Sequence, residues 1–431
     1  MTNNFETEIA CSFCGRSQSL VERLIEGPGV YICNDCVNIA VSILEADETK
    51  AQNKKTKSSI DIDNLPTPKE IFSHLGEYVI GQDLAKRALS VAVYNHYKRI
   101  LAKENNLSKD DTELNKANVL IIGNTGTGKT YLAQTLARIM KVPFAIVDAT
   151  TLTQAGYVGE DVENILVRLV QNSDGDIQKA SKGIIYIDEI DKISRKGDNP
   201  SITRDVSGEG VQQSLLKIIE GTVANIPTKN MAGGRKHPGQ ETTQIDTKDI
   251  LFIVGGAFDG LKDILKTRDR SAKIGFGAKI NRGFESEYNI YQDVRPEDLQ
   301  KFGLIPELIG RLPVITSVDD LDEKTMLRIL LDPKNSLVKQ FKKLFILDDV
   351  KLKFEKEALR VIVQKAFSFK TGARGLRSIL EKTLEPIMFE IPSRDDISQV
   401  IVTKKAAEGL EDPKIIIKEQ IVKNNRRVRV A

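Results

Sequence analysis

The strongest constraint on the fold is a glycine-rich loop between an apolar strand and an amphipathic helix. Residues 123–130 read Gly-Asn-Thr-Gly-Thr-Gly-Lys-Thr, directly after the strand-like run 118–122 and at the start of a helical pattern from Lys129. Glycines in such a loop let backbone N–H groups approach phosphate oxygens, and the dipole of the following helix favours the same negative charge. A chance glycine-rich turn is the alternative, but the flanking strand and helix favour a nucleotide-binding loop.

Residue types within this loop predict separate roles in binding ATP. We expect Lys129 to reach the β- and γ-phosphates and Thr130 to offer its hydroxyl to Mg²⁺. The other predicted nucleotide contacts are Gly123, Asn124, Thr125, Gly126, Thr127, Gly128 and Tyr131. The sequence therefore predicts ATP and Mg²⁺ as ligands.

Two adjacent acids follow the apolar run 184–187. Open α/β sheets bind ligands at the carboxyl ends of their strands, so Asp188 is expected to hold Mg²⁺. Adjacent strand residues point to opposite faces, which leaves Glu189 to polarise an attacking water. Acids that merely begin the next helix are the alternative. Beside the phosphate loop, the pair predicts hydrolysis of the nucleotide and not only its binding.

All four cysteines lie in the first 36 residues, as Cys11-x-x-Cys14 and Cys33-x-x-Cys36. This spacing is typical of a tetrahedral Zn²⁺ site with four thiolate ligands. Disulfides or a redox pair are the alternative, which a reducing compartment disfavours. So short a segment has little hydrophobic core, so Zn²⁺ is expected to supply much of its folding energy.

Apolar strand-like runs alternate with helical patterns from about Leu65 to Val318, which predicts a parallel sheet with helices on both faces. Beyond Asp319 the pattern is mainly helical, with strand candidates at 350–354 and near Val400. The predicted strands of the sheet are 118–122, 144–147, 183–187 and 250–254, and the predicted C-terminal helices are 324–331, 336–344, 356–366 and 374–389. The expected organisation is a zinc-binding domain (1–50), a flexible linker (51–64), a large ATPase domain (65–318), a small domain (319–418) and a basic tail (419–431).

Composition narrows the class of partner. The 63 Lys and Arg nearly balance 60 Asp and Glu, and a net charge of +3 does not point to a nucleic acid. The longest apolar runs are strand-sized, so no membrane-spanning helix is expected. The first residues lack the pattern of a secretion signal, which favours the cytosol as the compartment.

The joint order of these motifs resembles the ClpX family of AAA+ protein unfoldases. Besides the cysteines and nucleotide motifs, the resemblance includes the segments 78–82, 156–159, 274–276, 310–311 and 372–375. It implies an AAA+ fold, a homo-hexameric ring, and ATP-driven unfolding and threading of protein substrates into a ClpP-type peptidase. Protein substrates and possible adaptors are the other partners, the zinc module is expected to bind a partner, and whether that module dimerises stays open.

The resemblance assigns three loops to the substrate pore. These loops contribute Tyr157 and Val158, then Arg204, and then Arg235, Lys236 and His237 at the pore entrance. A large aromatic side chain between glycines offers a contact that tolerates any substrate sequence. Taken alone, a packed tyrosine turn and a solvated basic surface are the more typical interpretations of these segments.

The remaining implied roles concern peptidase docking and the nucleotide. Ile274, Gly275 and Phe276 match the loop that docks on the peptidase, for which a buried core segment is the alternative. Arg311 matches an arginine finger that reaches a neighbouring subunit's ATP, and Arg374 matches a sensor arginine. Val79 and Ile80 match the apolar residues that pack on adenine. Surface ion pairs for the arginines, and core packing for Val79 and Ile80, are the alternatives.

The sequence departs from the family pattern at two places. Asn124 stands where these proteins commonly have proline, and segment 252–256 ends without the polar residue that many AAA+ proteins use as a first sensor. No first sensor is assigned. Two other functions stay open at this point: a nucleic-acid-remodelling ATPase with a zinc finger, and a nucleotide-gated adaptor that threads nothing.

Overall fold

The computed structural model describes residues 9–42, 65–105, 112, 114–153, 160–194, 208–227, 242–272 and 290–418. The chain forms two compact units, residues 1–60 and 61–431. The predicted linker 51–64 and the predicted tail 419–431 lie outside those ranges. The first compact unit ends at residue 60, within the predicted linker.

The N-terminal unit is a small hairpin followed by a helix. Strands β1 (Leu24–Gly27) and β2 (Val30–Cys33) pair antiparallel, and helix α1 covers residues 34–42. Gly29 turns the hairpin with a φ of +76°, a conformation that glycine adopts without steric cost. Cys33 ends β2 and Cys36 lies in the first turn of α1, so the second cysteine pair spans the step from strand to helix.

The second unit contains the nucleotide motifs. Its strands are β3 (Val119–Ile122), β4 (Phe144–Asp148), β5 (Leu152–Thr153), β6 (Glu160–Asp161), β7 (Ile184–Asp188), β8 (Val223–Pro227), β9 (Thr242–Asp246), β10 (Leu251–Gly256), β11 (Val314–Ser317), β12 (Lys351–Phe354), β13 (Ile397–Val402) and β14 (Lys414–Ile417). Its helices are α2 (Pro68–Gly76), α3 (Asp83–Glu104), α4 (Lys129–Met140), α5 (Asn164–Gln171), α6 (Ile177–Ala180), α7 (Glu209–Glu220), α8 (Leu261–Ala272), α9 (Pro296–Phe302), α10 (Pro306–Gly310), α11 (Glu323–Leu331), α12 (Leu337–Leu347), α13 (Lys356–Ser368), α14 (Ala373–Glu390) and α15 (Lys404–Glu408).

Among the described residues, five strands form one parallel sheet in the order β11-β3-β10-β7-β4. Every residue of β3 and β10 is buried, so both faces of the sheet centre are covered. This confirms the predicted α/β fold class, because parallel strands buried on both faces are near-continuous apolar runs. The sheet also contains β11, which the sequence reading had not assigned; it pairs with β3 at the edge.

Residues beyond β11 build a second hydrophobic core from α11 to α15, with residues such as Met326, Phe345 and Leu380. A small sheet in the order β12-β13-β14 accompanies these helices. Strands β12 and β13 pair parallel, while β14 pairs antiparallel with β13. The region is mainly helical as predicted, with β14 as an additional strand. Within the described residues, no helix is both long and apolar enough to cross a bilayer.

Candidate nucleotide and zinc sites

The phosphate loop turns from the buried end of β3 into the first residue of α4. Gly126 and Gly128 adopt φ values of +80° and +99°, which L side chains rarely reach. The Lys129 ammonium donates to the carbonyls of Gly123 (2.6 Å) and Asn124 (3.1 Å). Burial lowers the pKa of Lys129, while the carboxylates of Asp188 and Asp191 oppose that shift. The cation therefore lies inside the loop, where phosphate oxygens would compete for its protons.

Asp188 ends β7 and receives three hydrogen bonds. The Thr130 hydroxyl donates to its Oδ2 at 2.8 Å, and the Tyr186 hydroxyl and the Glu189 N–H donate to its Oδ1 at 3.2 and 3.0 Å. Burial raises the pKa of Tyr186 well above its ordinary value, so this hydroxyl stays a donor. A hydroxyl beside a carboxylate suits a hard cation that prefers oxygen ligands. Thr130 and Asp188 are the residues that would hold Mg²⁺, which would neutralise charge on the phosphates.

Glu189 follows the strand with a φ of +57° and precedes a short 3₁₀ helix at Ile190–Ile193. Glu189 therefore lies just outside β7, where the alternation of strand side chains that the sequence analysis relied on no longer applies. Partial burial, and then the negative charges of Asp148, Asp188 and Asp191, raise the pKa of Glu189. A carboxylate with raised proton affinity is a better general base for activating water.

A cleft of about 630 Å³ joins these groups, a volume suited to a ligand of nucleotide size. Of the residues predicted for the nucleotide, it is lined by Val79, Ile80, Thr125, Gly126, Thr127, Gly128, Lys129, Thr130, Tyr131, Asp188, Glu189 and Arg374. Gly123 and Asn124 do not line the cleft: their carbonyls hold Lys129, and the Asn124 side chain bonds Asp320.

One wall of the cleft belongs to the small C-terminal core, from which sequence reasoning had assigned only Arg374 to the site. Ile329, Pro333 and Leu337 face the same space as Val79 and Ile80, which makes that end apolar. The other unpredicted lining residues are Tyr78, Gln134, Arg138, Asp191, Lys192, Ala257, Asn335, Gln340, Ala373 and Arg377. Arg377 could have been predicted from the sequence, because it lies one helical turn after Arg374 and so shares its helix face.

The two predicted phosphate-sensing arginines have different surroundings. Arg374 lines the cleft, is exposed, and makes no hydrogen bond or ion pair with the described residues. Arg311 does not line the cleft; its Nε and Nη2 both contact Glu220 Oε1, at 2.9 and 2.8 Å, at the end of α7. Because Arg311 lies outside the cleft of its own chain, its contact with the ATP of a neighbouring subunit stays a prediction.

Two groups of predicted residues lie outside the part of the chain that the structure describes. They are the pore residues Tyr157, Val158, Arg204, Arg235, Lys236 and His237, and the docking residues Ile274, Gly275 and Phe276. Their described flanks are ordered elements: β5 and β6 pair on either side of 154–159, and β8 and β9 pair on either side of 228–241.

The four cysteines converge in the N-terminal unit. All four Sγ atoms lie within 4.8 Å of one another, with Cys11 to Cys36 at 4.0 Å and Cys14 to Cys33 at 3.7 Å. A tetrahedral Zn²⁺ with sulfur ligands at about 2.3 Å would separate them by about 3.8 Å. Gly15, with a φ of +76°, donates its N–H to the Cys11 carbonyl at 2.8 Å and closes the first turn. The cluster fits Zn²⁺.

The protein already favours a thiolate in this cluster. Burial alone would raise the pKa of Cys11, but hydrogen bonds from the backbone N–H groups of Cys14, Phe13 and Cys33 lower it to about 6. Burial and the neighbouring sulfurs instead raise the pKa of Cys36. A metal cation would let all four cysteines ionise, because its positive charge offsets the repulsion between neighbouring thiolates.

Comparison with protein families agrees with this geometry. Residues 114–315 match the AAA domain (Cdc48 subfamily), residues 321–404 match the C-terminal, D2-small domain of ClpB protein, and residues 9–46 match the ClpX C4-type zinc finger. The fold, the phosphate loop and the acid pair define the chain as a nucleotide-binding AAA+ ATPase with a zinc-binding domain. The chain resembles the ClpX family in this combination of a C4-type zinc finger, an AAA domain and a ClpB-type small domain.

Proposed function

We propose that this protein is an ATP-dependent unfoldase and translocase that threads protein substrates through a hexameric ring into a ClpP-type peptidase. The observation that carries the proposal is the contact of Thr130 with Asp188, beside Glu189, in a chain with a ClpX-type zinc finger. A site that only binds nucleotide needs no base of raised proton affinity next to the magnesium ligands, whereas a machine driven by hydrolysis does.

The residues of the cleft divide the work of hydrolysis. Lys129 and the loop N–H groups hold the phosphates, and Val79 and Ile80 pack on the base. Glu189 accepts the proton of the attacking water, and the products are ADP and inorganic phosphate. Arg311 of one subunit reaches the ATP of the next, while Arg374 contacts phosphate from its own small domain and so senses the nucleotide.

Loops attached to this ATPase core bind the substrate and move it through the pore. Tyr157 and Val158 grip the substrate; Arg204, Arg235, Lys236 and His237 line the same channel and attract an incoming chain. Attachment of residues 154–159 between the paired strands β5 and β6 supports this role, because it anchors both ends of the loop on the ATPase core. Ile274, Gly275 and Phe276 dock on the peptidase.

The zinc module binds substrates or adaptors. Phe13, Leu20 and Ile39 are 74, 72 and 58% exposed on a unit that has little core of its own. These exposed apolar side chains are available to a protein partner, including a second copy of the module. The compartment is the cytosol, where reduced cysteines remain available to Zn²⁺.

A folded fluorescent protein with a peptide tag, mixed with this protein, ATP and a ClpP-type peptidase, tests the proposal. Fluorescence should fall with wild type and ATP, and remain with the Glu189→Gln variant, which binds ATP but does not hydrolyse it. Glu385→Gln, an exposed position on α14, is the matched control and should behave as wild type. Hydrolysis of ATP without loss of fluorescence for several tags would contradict the unfoldase proposal.

A further inference from the structure

Residues 318–320, which we call the hinge, connect the two cores of the second unit, and Asp319 is held by a side chain that lies 237 positions away in sequence. Gln82 Nε2 donates to the Asp319 carbonyl at 2.9 Å, and Gln82 Oε1 accepts from the Asp319 N–H at 2.6 Å. Gln82 is only 4% exposed. A buried amide whose donor and acceptor both bond the backbone of one residue fixes the position of that residue in two directions.

The backbone of Gln82 suits this role rather than helix capping. Gln82 precedes α3 but makes no side-chain bond to the first turn of that helix, and its φ of 60° and ψ of 36° are left-handed. A residue of this type rarely adopts that conformation unless its surroundings require it. Here the left-handed turn accompanies a side chain directed away from α3 and paired with the hinge.

The end of β3 and the start of the phosphate loop contact the hinge residues on either side of Asp319. A Cβ on Gly123 would lie 2.9 Å from the Val318 carbonyl oxygen, and the Val318 N–H donates to Ile122 at 2.8 Å. One residue further, the Asn124 side chain donates to Asp320 Oδ1 at 2.5 Å. A proline at this position, which is common among the proteins that the chain resembles, has no side-chain donor for that bond.

We propose that Gln82 and Asn124 are positioning residues that transmit occupancy of the nucleotide cleft to the hinge at Val318–Asp320. The proposal rests on the proposed ATPase function. Val79 and Ile80, just before Gln82, line one side of the cleft, and the phosphate loop lines the other. A nucleotide therefore contacts both segments that hold the hinge, so its binding fixes residues 318–320 and, through them, the start of α11.

Hydrogen exchange followed by mass spectrometry on the full chain tests this coupling. Exchange is measured in peptides that cover 123–130 and 316–322, with and without a slowly hydrolysed ATP analogue and Mg²⁺. In wild type both peptides should gain protection on binding. In Gln82→Met, which removes both amide contacts, the loop peptide should still gain protection while the hinge peptide exchanges about tenfold faster than in liganded wild type.

Two further variants keep the test decisive. Asp320→Ala removes the acceptor for Asn124 and should uncouple the hinge peptide in the same way; Gln82→Glu keeps the acceptor for the Asp319 N–H and should uncouple it partly. ATP turnover in these variants should fall about tenfold while KM for ATP stays near the wild-type value. Gln213→Met, on the exposed face of α7, is the matched control and should leave both peptides unchanged.

The outcomes separate the hinge proposal from the proposed function. Full nucleotide protection of the hinge peptide in folded Gln82→Glu and Asp320→Ala would overturn the coupling. Equal loss of protection in both peptides would also overturn it, because Gln82 would then be a general structural residue. Absence of protection in the wild-type loop peptide would instead contradict nucleotide binding itself.

Discussion

Gly126 of the phosphate loop and Gly372 of the small domain touch backbone to backbone. A Cβ on Gly372 would lie 2.8 Å from the Gly126 carbonyl oxygen, and a Cβ on Gly126 would lie 2.5 Å from the Thr371 carbonyl oxygen. The Ala373 N–H donates to the same Gly126 carbonyl at 3.1 Å. The start of α14, and with it Arg374, therefore approaches the phosphate loop through a contact that only glycine permits.

Replacement of Gly372 by alanine should separate α14 from the phosphate loop. The methyl group meets backbone, which has no rotamer to escape into, so we expect ATP turnover to fall by about tenfold or more. The measurement is steady-state ATPase activity with the unfolding temperature recorded alongside. Gly409→Ala is the control, since Gly409 has a similar φ of +81° but open space around its Cβ position. Equal activity loss in both variants would contradict a specific role for the contact.

The acid limb of the pH–rate profile should depend on Asp148. Burial and then Asp148 raise the pKa of Glu189, and a general base must be deprotonated to act. Activity should therefore fall as the pH drops through a value above the ordinary glutamate range of about 4.3. Asp148→Asn removes a neighbouring negative charge, lowers the pKa of Glu189 and moves this limb to lower pH. The limb is measured as kcat against pH under saturating ATP.

A limb that moves to higher pH in Asp148→Asn, or stays fixed, would contradict Glu189 as the base. Asp174→Asn, at an exposed acid that is not among the charges raising the pKa of Glu189, is the control and should leave the limb in place.

The sequence predicted the parts of the site that are local in the chain. The phosphate loop, the acid pair and the cysteine pairs each need only a few neighbouring residues, and the structure brings Thr130 to Asp188 and the four sulfurs together. The wall formed by Ile329, Pro333 and Leu337 had no local signal, since apolar residues at helical spacing indicate a core as readily as a ligand wall.

Other features depended on tertiary contacts. The strand β11 is a short run at the sheet edge, and its partner β3 lies far away in sequence. The two hydrogen bonds between Gln82 and Asp319 likewise join distant segments. From the sequence alone, a glutamine before a helix indicates only a weak N-cap. The left-handed backbone of Glu189 was missed because the sequence analysis extended the strand to this residue, whereas β7 ends at Asp188.

Acid should destabilise the second unit through His96. Burial, and then the charges of Arg99 and Lys116, lower the pKa of this imidazole to about 3. Its Nε2 pairs with the Asp249 carbonyl at 3.1 Å, while Nδ1 has no partner among the described residues. Because the unfolded chain binds the proton more readily, the stability contribution is complete above the ordinary histidine pKa of about 6.5 and is lost as pH falls toward 3.

From pH 7 to pH 5 the free energy of unfolding should therefore fall by about 2 kcal/mol on account of His96. His96→Gln should show a shallower fall, measured as the urea midpoint at each pH. His74→Gln, on the exposed side of α2, should keep the wild-type slope. A His96→Gln slope as steep as wild type would place the acid sensitivity elsewhere.

Removal of zinc should unfold the N-terminal unit and spare the ATPase. Structural Zn²⁺ contributes on the order of 10 kcal/mol to folding such a module. Every residue that lines the nucleotide cleft belongs to the other compact unit. Cys33→Ser, or a strong chelator, should release the metal and abolish the dispersed amide resonances of residues 9–42 while ATP hydrolysis continues. Ser19→Ala is the control; loss of ATPase activity on chelation would contradict this independence.

Mixed rings should show whether Arg311 acts between subunits. Arg311→Ala should bind ATP but not hydrolyse it, because it lacks the guanidinium that stabilises charge on the transferred phosphoryl group. Glu189→Gln should be inactive for a different reason, since its own cleft lacks the base. When the two inactive variants are assembled together, the intact Arg311 of a Glu189→Gln subunit faces the intact Glu189 of an Arg311→Ala subunit, so part of the ATPase activity returns.

An arginine that served its own cleft would give no recovery in this mixture, since neither variant contains a complete site. Arg328→Ala, an exposed arginine paired with Asp332, should keep wild-type activity alone and in mixtures. The ion pair of Arg311 with Glu220 adds a second readout: Glu220→Gln leaves the guanidinium present but less restrained, so turnover should change while the affinity for ATP does not. An altered affinity would instead indicate that Glu220 shapes the nucleotide cleft.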